Sequence, residues 1–244
     1  MKPILIIRTG RAPAHIRGRF GDFPQWFRVA ARLASTRTRS VDVESGETLP
    51  PPQDIAGAII TGSAAMVTER AAWSERTAGW IRAAMDAELP MFGVCFGHQL
   101  MAHALGGKVD YLPGGREMGT QTITRLAAAE GDILAASLPP QFRAHTTHEQ
   151  SVLEPPPGAV VLARSERDPN QLLRYGPQAL SSQFHPEFSA DVMRAYVVRK
   201  REAMRREGGD PQRVYRDIAA TPIARRLLQR FALRPGLGKI PRGR

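Results

Sequence analysis

The sequence predicts an α/β fold in which helices cover a central, mostly parallel sheet, and three observations point there. Apolar runs of strand length alternate with stretches of helical period, the pattern of parallel strands joined by helices. The only cysteine among the 244 residues stands where one such strand turns into a helix. Between residues 107 and 187 the chain is instead rich in short β-type runs divided by Gly- and Pro-containing turns, which adds antiparallel strands to the parallel ones.

Residues 3–9 read as the first strand. Their apolar stretch is only four residues long and lacks a small-residue cleavage site, so a strand is expected and not a secretory signal. Residues 22–34 read as a helix whose apolar face carries Phe23, Trp26, Phe27, Val29 and Ala30. Short strands are expected at 41–44 and 56–61. Residues 69–88 are helical by period, through Trp73, Trp80, Ile81 and Ala84, and must end before Pro90. The strand-to-helix junction occupies 90–107. Further strands are expected at 120–126, 159–164, 170–174 and 179–184. A helix over 189–207 ends at Gly208-Gly209, and residues 211–231 form a last helical hairpin interrupted at Pro222. Within it Val214, Ile218, Ile223, Leu227, Leu228 and Phe231 recur near helical spacing, an apolar face expected to pack on the domain itself, with a partner or homodimer contact as the alternative. Residues 1–232 are thus expected to form one domain and 233–244 a flexible basic tail.

The net charge of +11 invites a nucleic-acid reading, but its distribution argues otherwise. Residues 1–190 carry nineteen Lys and Arg against eighteen Asp and Glu, whereas 191–244 carry fifteen against five. The excess belongs to the C-terminal region, where only Tyr196, Tyr215 and Phe231 are scattered among arginines, so no nucleic-acid partner is expected. No apolar run approaches the roughly 20 residues that span a bilayer, which predicts a cytoplasmic protein with no membrane partner. A lone cysteine excludes disulfides within the chain and multi-cysteine metal sites.

Gly93-Val94-Cys95-Phe96-Gly97 has the form of a strand-to-helix nucleophile elbow with cysteine as the nucleophile. Glycines two residues to either side permit the tight turn, and the N-terminus of the following helix brings unpaired N–H groups and a positive dipole end to the sulfur, favouring thiolate. Gln183-Phe184-His185-Pro186-Glu187 supplies the complement. Residues two apart on an extended segment point to the same side, so Glu187 can lie beside the His185 ring and fix its tautomer. Thiol, imidazole and carboxylate together make a nucleophilic triad by role.

At these two motifs the chain resembles the triad-type, class I glutamine amidotransferases, whose elbow reads G-x-C-x-G-x-Q and whose later strand ends in H-P-E. The resemblance covers about residues 55–190, including Thr61-Gly62-Ser63 and Gly106-Gly107-Lys108-Val109. It implies a flavodoxin-like three-layer sandwich with Cys95 as nucleophile, His185 as base and Glu187 as its partner. It further implies an oxyanion hole from the N–H groups of Gly62 and Phe96. Gln99 would help hold glutamine, Gly115 to Gly119 would contribute to recognition, and the backbone of His148, Glu149 and Gln150 would meet its α-amino and carboxylate groups. The loop Thr61-Gly62-Ser63-Ala64-Ala65 lacks the second glycine and the proline of the usual family version.

His98 and His103, five apart on a helix, do not share a face as a zinc pair would, and are expected to serve packing or the surface. No metal and no nucleotide cofactor is expected, since the glycine pairs lack the strand–G-x-G-x-x-G–helix context. The resemblance implies release of ammonia from glutamine through a γ-glutamyl thioester on Cys95. The roughly 55 residues after Glu187 cannot hold an ATP-binding synthetase, so any ammonia-accepting synthetase would be a separate partner; the chain is most like the glutaminase part of GMP synthase. A γ-glutamyl peptidase or hydrolase acting on larger γ-glutamyl amides is the second reading, and a non-catalytic binding or regulatory module the third.

Overall fold

The computed structural model describes residues 2–234. Strand β1 (Ile4–Arg8) leads through helices α1 (Ala14–Phe20) and α2 (Phe23–Ala31) to β2 (Thr38–Asp42) and β3 (Gly57–Ile60). Helix α3 (Ala72–Asp86), strand β4 (Met91–Val94) and helix α4 (Phe96–Ala104) follow. The β-rich middle comprises β5 (Lys108–Tyr111), β6 (Glu117–Arg125), β7 (Gln141–His148), β8 (Gln150–Glu154), β9 (Val160–Arg164), β10 (Leu172–Arg174) and β11 (Ala179–Ser182). Helices α5 (Ala190–Arg206), α6 (Pro211–Arg216) and α7 (Pro222–Ala232) close the described chain. Of the expected tail at 233–244, residues from 235 onward lie outside the described residues.

The main sheet runs β2-β1-β3-β4-β11-β10-β9-β6-β7. The first five strands are mutually parallel and form its body, and β10, β9, β6 and β7 continue it as an antiparallel wing. A second, two-stranded antiparallel sheet pairs β5 with β8. The fold is therefore mixed α/β with a large central sheet.

Alternation along β1 shows why the body must be covered twice. Ile4 and Ile6 enter the layer that holds Phe27 of α2, Val197 of α5 and Phe231 of α7, while Leu5 and Ile7 enter the opposite layer with Ile81 of α3 and Leu100 of α4. The Phe92 and Phe231 rings meet at 5.3 Å, seating α7 on the middle of the sheet. Asp22 accepts the Phe23 N–H at 2.9 Å to start α2, and Ser189 accepts that of Val192 at 3.2 Å to start α5. No helix among the described residues is long and apolar enough to cross a membrane.

Three departures from the expected elements have physical causes. Helix α1 forms between Pro13 and Gly21, whose turn chemistry masked a helix of seven residues. Strand β2 begins three residues earlier than its apolar end at Val41, because pairing with β1, and not burial, makes Thr38 to Ser40 extended. Strand β7 reads polar, as Gln-Phe-Arg-Ala-His-Thr-Thr-His, yet pairs with β6 from Gln141 to His148. Tertiary pairing overrides weak local pattern there.

Candidate active site

Strands β3, β4 and β11 lie side by side and parallel, so their carboxyl ends open at one edge of the sheet, where α/β folds place their ligands. Register does the positioning: Ile60 pairs with Gly93, and Val94 with Ser182. The residues just beyond, Gly62, Cys95 and His185, are thereby gathered from segments far apart in the chain.

Cys95 caps α4 with φ 52° and ψ −104°, a conformation L residues rarely adopt. The surrounding structure enforces it. The Cys95 N–H donates to Ser182 O at 2.9 Å, and the Cys95 carbonyl accepts the Gln99 N–H at 3.0 Å. A Cβ on Gly97 would fall 2.4 Å from Ile60 O, and one on Gly93 would fall 2.6 Å from Gly97 O. Both flanking glycines are thus demanded by close backbone approach.

The His185 N–H donates to the His145 carbonyl at 2.8 Å, so β7 holds the segment after β11 in place. Its Nδ1 lies 2.8 Å from Glu187 Oε1, and this pair is almost wholly buried, at 2% and 3% exposure. Nε2 has no hydrogen-bond partner among the described residues. A Cβ on Gly62 would lie 3.1 Å from His185 Cε1 and 3.6 Å from Cys95 Cβ, so the three residues surround one point. The Phe96 N–H, at the first position of α4, precedes the helical hydrogen-bond ladder.

Burial pushes the Cys95 thiol up, but the charge and close contact of His185, joined by the charge of His148, together outweigh it, and the net displacement is downward. Burial likewise opposes the charged form of His185, yet Glu187 and the Cys95 thiolate more than compensate, lifting it to about 10. The arrangement favours an imidazolium–thiolate pair.

Cys95 and His185 open into a pocket of about 110 Å³. Gln99, His148, Glu149 and Gln150 all border it, but their side chains are engaged within the protein. Gln99 Nε2 donates to Gln150 O at 2.6 Å and Gln183 Oε1 at 2.9 Å. His148 places Nδ1 2.9 Å from Gln150 O and Nε2 3.0 Å from Glu117 Oε2. Burial disfavours the His148 charge, but Glu117, Asp168 and Cys95 together outweigh burial, so its affinity for the proton is raised. Glu149 accepts from Arg116 and Lys200, both at 3.1 Å, and Gln150 Nε2 donates to Thr68 at 2.6 Å. The Thr147 carbonyl, 3.9 Å from Cys95 Sγ, brings the backbone of this segment to the thiol. Of the segment 115–119, Arg116 reaches the pocket.

His98 is buried with Nδ1 2.7 Å from Ser181 Oγ, and His103 sits 3.0 Å from Glu75. Among the described residues no group of three or more His, Cys, Asp or Glu has a metal-binding arrangement. Several lining residues escaped the sequence reading. Phe188 stacks on His185 with ring centroids 4.1 Å apart, and Tyr196 stacks on Phe188 at 5.1 Å. Arg11, Phe23 and Arg199 also line the pocket. Phe188 directly follows the H-P-E run and could have been suspected; the others come from segments whose approach is a property of the fold.

A family profile described as "Glutamine amidotransferase class-I" matches residues 28–202. Among curated proteins the chain is 32% identical to "Gamma-glutamyl peptidase 5" of Arabidopsis thaliana, over 44% of this chain and 44% of that one. It is 36% identical to a glutamine-hydrolysing GMP synthase subunit of Methanopyrus kandleri, over 46% of this chain and 62% of the relative. The matches thus span about half the length of these relatives. Among solved structures, a glutamine amidotransferase of Thermotoga maritima superposes with TM-score 0.75 at 20% identity, covering 98% of this chain and 99% of that one, which speaks for the fold.

Proposed function

The chain belongs to the class I glutamine amidotransferase family, and from that premise we propose that it hydrolyses the γ-amide of glutamine or of a γ-glutamyl compound through a thioester on Cys95. The observation that carries this reading is a strained, buried cysteine sharing a pocket with a histidine whose far nitrogen is bonded to Glu187.

The Cys95 thiolate attacks the γ-carbonyl carbon, and the oxyanion forms against the N–H groups of Gly62 and Phe96. As the C–N bond breaks, His185 Nε2 gives its proton to the departing nitrogen. Water then attacks the thioester, its proton passing to His185, and glutamate leaves as the C–S bond breaks. Glu187 orients the ring and stabilises the imidazolium without itself transferring the proton. The 147–150 backbone binds the α-amino and carboxylate groups.

With glutamine the first product is ammonia. The resemblance to a glutamine-hydrolysing GMP synthase component favours delivery to a separate synthetase partner. The resemblance to a γ-glutamyl peptidase favours the second reading, in which the departing group is a larger amine. The test is a panel of glutamine and γ-glutamyl amides given to the intact protein and to Cys95→Ala, with glutamate release and the mass of trapped acyl-enzyme as readouts. We expect cleavage of at least one γ-amide, abolished by Cys95→Ala, and a glutamyl adduct on Cys95. Activity that survives in Cys95→Ala rejects the thioester on Cys95, and no cleavage of any γ-amide rejects the reading and leaves the non-catalytic module.

A further inference from the structure

The wall of the pocket that runs outward from the base carries information about the departing group. In acyl transfer the leaving nitrogen must sit beside the group that protonates it, so whatever adjoins His185 faces the leaving group and not the glutamyl moiety. What adjoins His185 is a continuous aromatic surface. Phe188 stacks on its ring, Tyr196 stacks on Phe188, and Phe23 stacks on Phe188 from α2 at 6.4 Å. One helical turn beyond Tyr196, on the same face of α5, stands Arg199, which also lines the pocket. Ammonia is too small to use any of this wall.

The charges of the lining sharpen the point. Arg116 and Lys200 share Glu149, and Arg116 also holds Glu207, so these cations are matched by carboxylates. Arg11 shares the Asp42 carboxylate with Arg8 and is also attracted by Asp22 and Glu44, so it too is matched by carboxylates. Arg199 carries no ion pair among the described residues. A single free guanidinium fork matches one carboxylate in its planar, two-pronged geometry.

We propose that this pocket selects γ-glutamyl amides whose departing amine bears a carboxylate, such as γ-glutamyl amino acids, with Arg199 as the specificity-determining residue and Phe188 and Tyr196 as the surface under the amine. This rests on the thioester reading above. The reaction is γ-glutamyl–NHR plus water giving glutamate plus RNH2, with the C–N bond broken and its nitrogen protonated by His185.

The experiment compares kcat/KM for γ-glutamylglycine, for uncharged γ-glutamylethylamide of similar size, and for glutamine, in the intact protein, Arg199→Gln and Arg199→Lys. The carboxylate-bearing substrate should be preferred over the ethylamide by about tenfold or more, the size expected of one charge-assisted contact. That ratio should fall toward one in Arg199→Gln and be partly restored in Arg199→Lys, a readout that general loss of structure would not produce. A ratio near one in the intact protein, or one that Arg199→Gln leaves unchanged, overturns the proposal while the thioester reading stands. Absence of Cys95-dependent cleavage of all three substrates overturns both.

Discussion

At the scale of single residues, Cys95 and His185 are coupled through opposing effects of burial and charge. Removing the His185 cation should leave burial, the largest influence, opposed only by the weaker pull of His148. In the intact protein, alkylation of Cys95 followed against pH should reach half its limiting rate below the ordinary thiol range of about 8.5, because the thiolate exists above a lowered pKa. In His185→Gln the midpoint should move up past the ordinary range, since desolvation then dominates. An unchanged midpoint would mean that the imidazolium does not act on the sulfur. Under the proposed mechanism, loss of Glu187 should be milder than loss of His185: Glu187→Gln should lower kcat by about tenfold less than His185→Ala, as an orienting group transfers no proton. The turn at Cys95 and the pairing of His185 with Glu187 were legible in the sequence because each lies within a short motif. The commitment of His148 to Glu117, 31 residues away, was not, for nothing in either segment announces the other.

At the scale of elements, the junction of β4 with α4 depends on how near α4 lies to β3. Gly97 is where they touch, and its N–H also donates to Thr61 O at 3.1 Å. In Gly97→Ala the new Cβ would meet Ile60 O at 2.4 Å, and backbone cannot yield as a flexible side chain would, so α4 must move outward and carry Cys95 with it. A displacement near 1 Å costs on the order of 10²-fold in rate. The variant should fold with a lowered Tm and lose about that much kcat, checked by thermal melts alongside glutamate release; full activity would show that the contact is relieved without moving Cys95. The glycine spacing announced a tight turn, whereas the atom that forbids a side chain belongs to a strand some forty residues earlier.

For the whole molecule, α7 joins the C-terminal region to the centre of the sheet. Leu227, Leu228 and Phe231 are fully buried, and Gln229 Nε2 donates to Ala30 O of α2 at 3.0 Å. Phe231→Ala should therefore destabilise the protein by about 3–5 kcal/mol, as for other large-to-small core changes, measurable by denaturant unfolding. A change below about 1 kcal/mol would mean that α7 is an appendage. The amphipathic spacing of 213–231 was plain in the sequence, but the surface it covers was not: periodicity states that a face is apolar and leaves its neighbour unnamed. The same division runs through the molecule. By itself the sequence determined the parallel body of the sheet, the elbow at Cys95 and the His185–Glu187 pair, because all three are written in patterns shorter than one element, where covalent geometry and side-chain alternation act directly. Only the tertiary structure decided that β7 braces His185, that His148 turns to Glu117, and that Phe23, Tyr196 and Arg199 line one pocket. Those contacts join residues distant along the chain, and they form only when burial of the whole core fixes the sheet order and register.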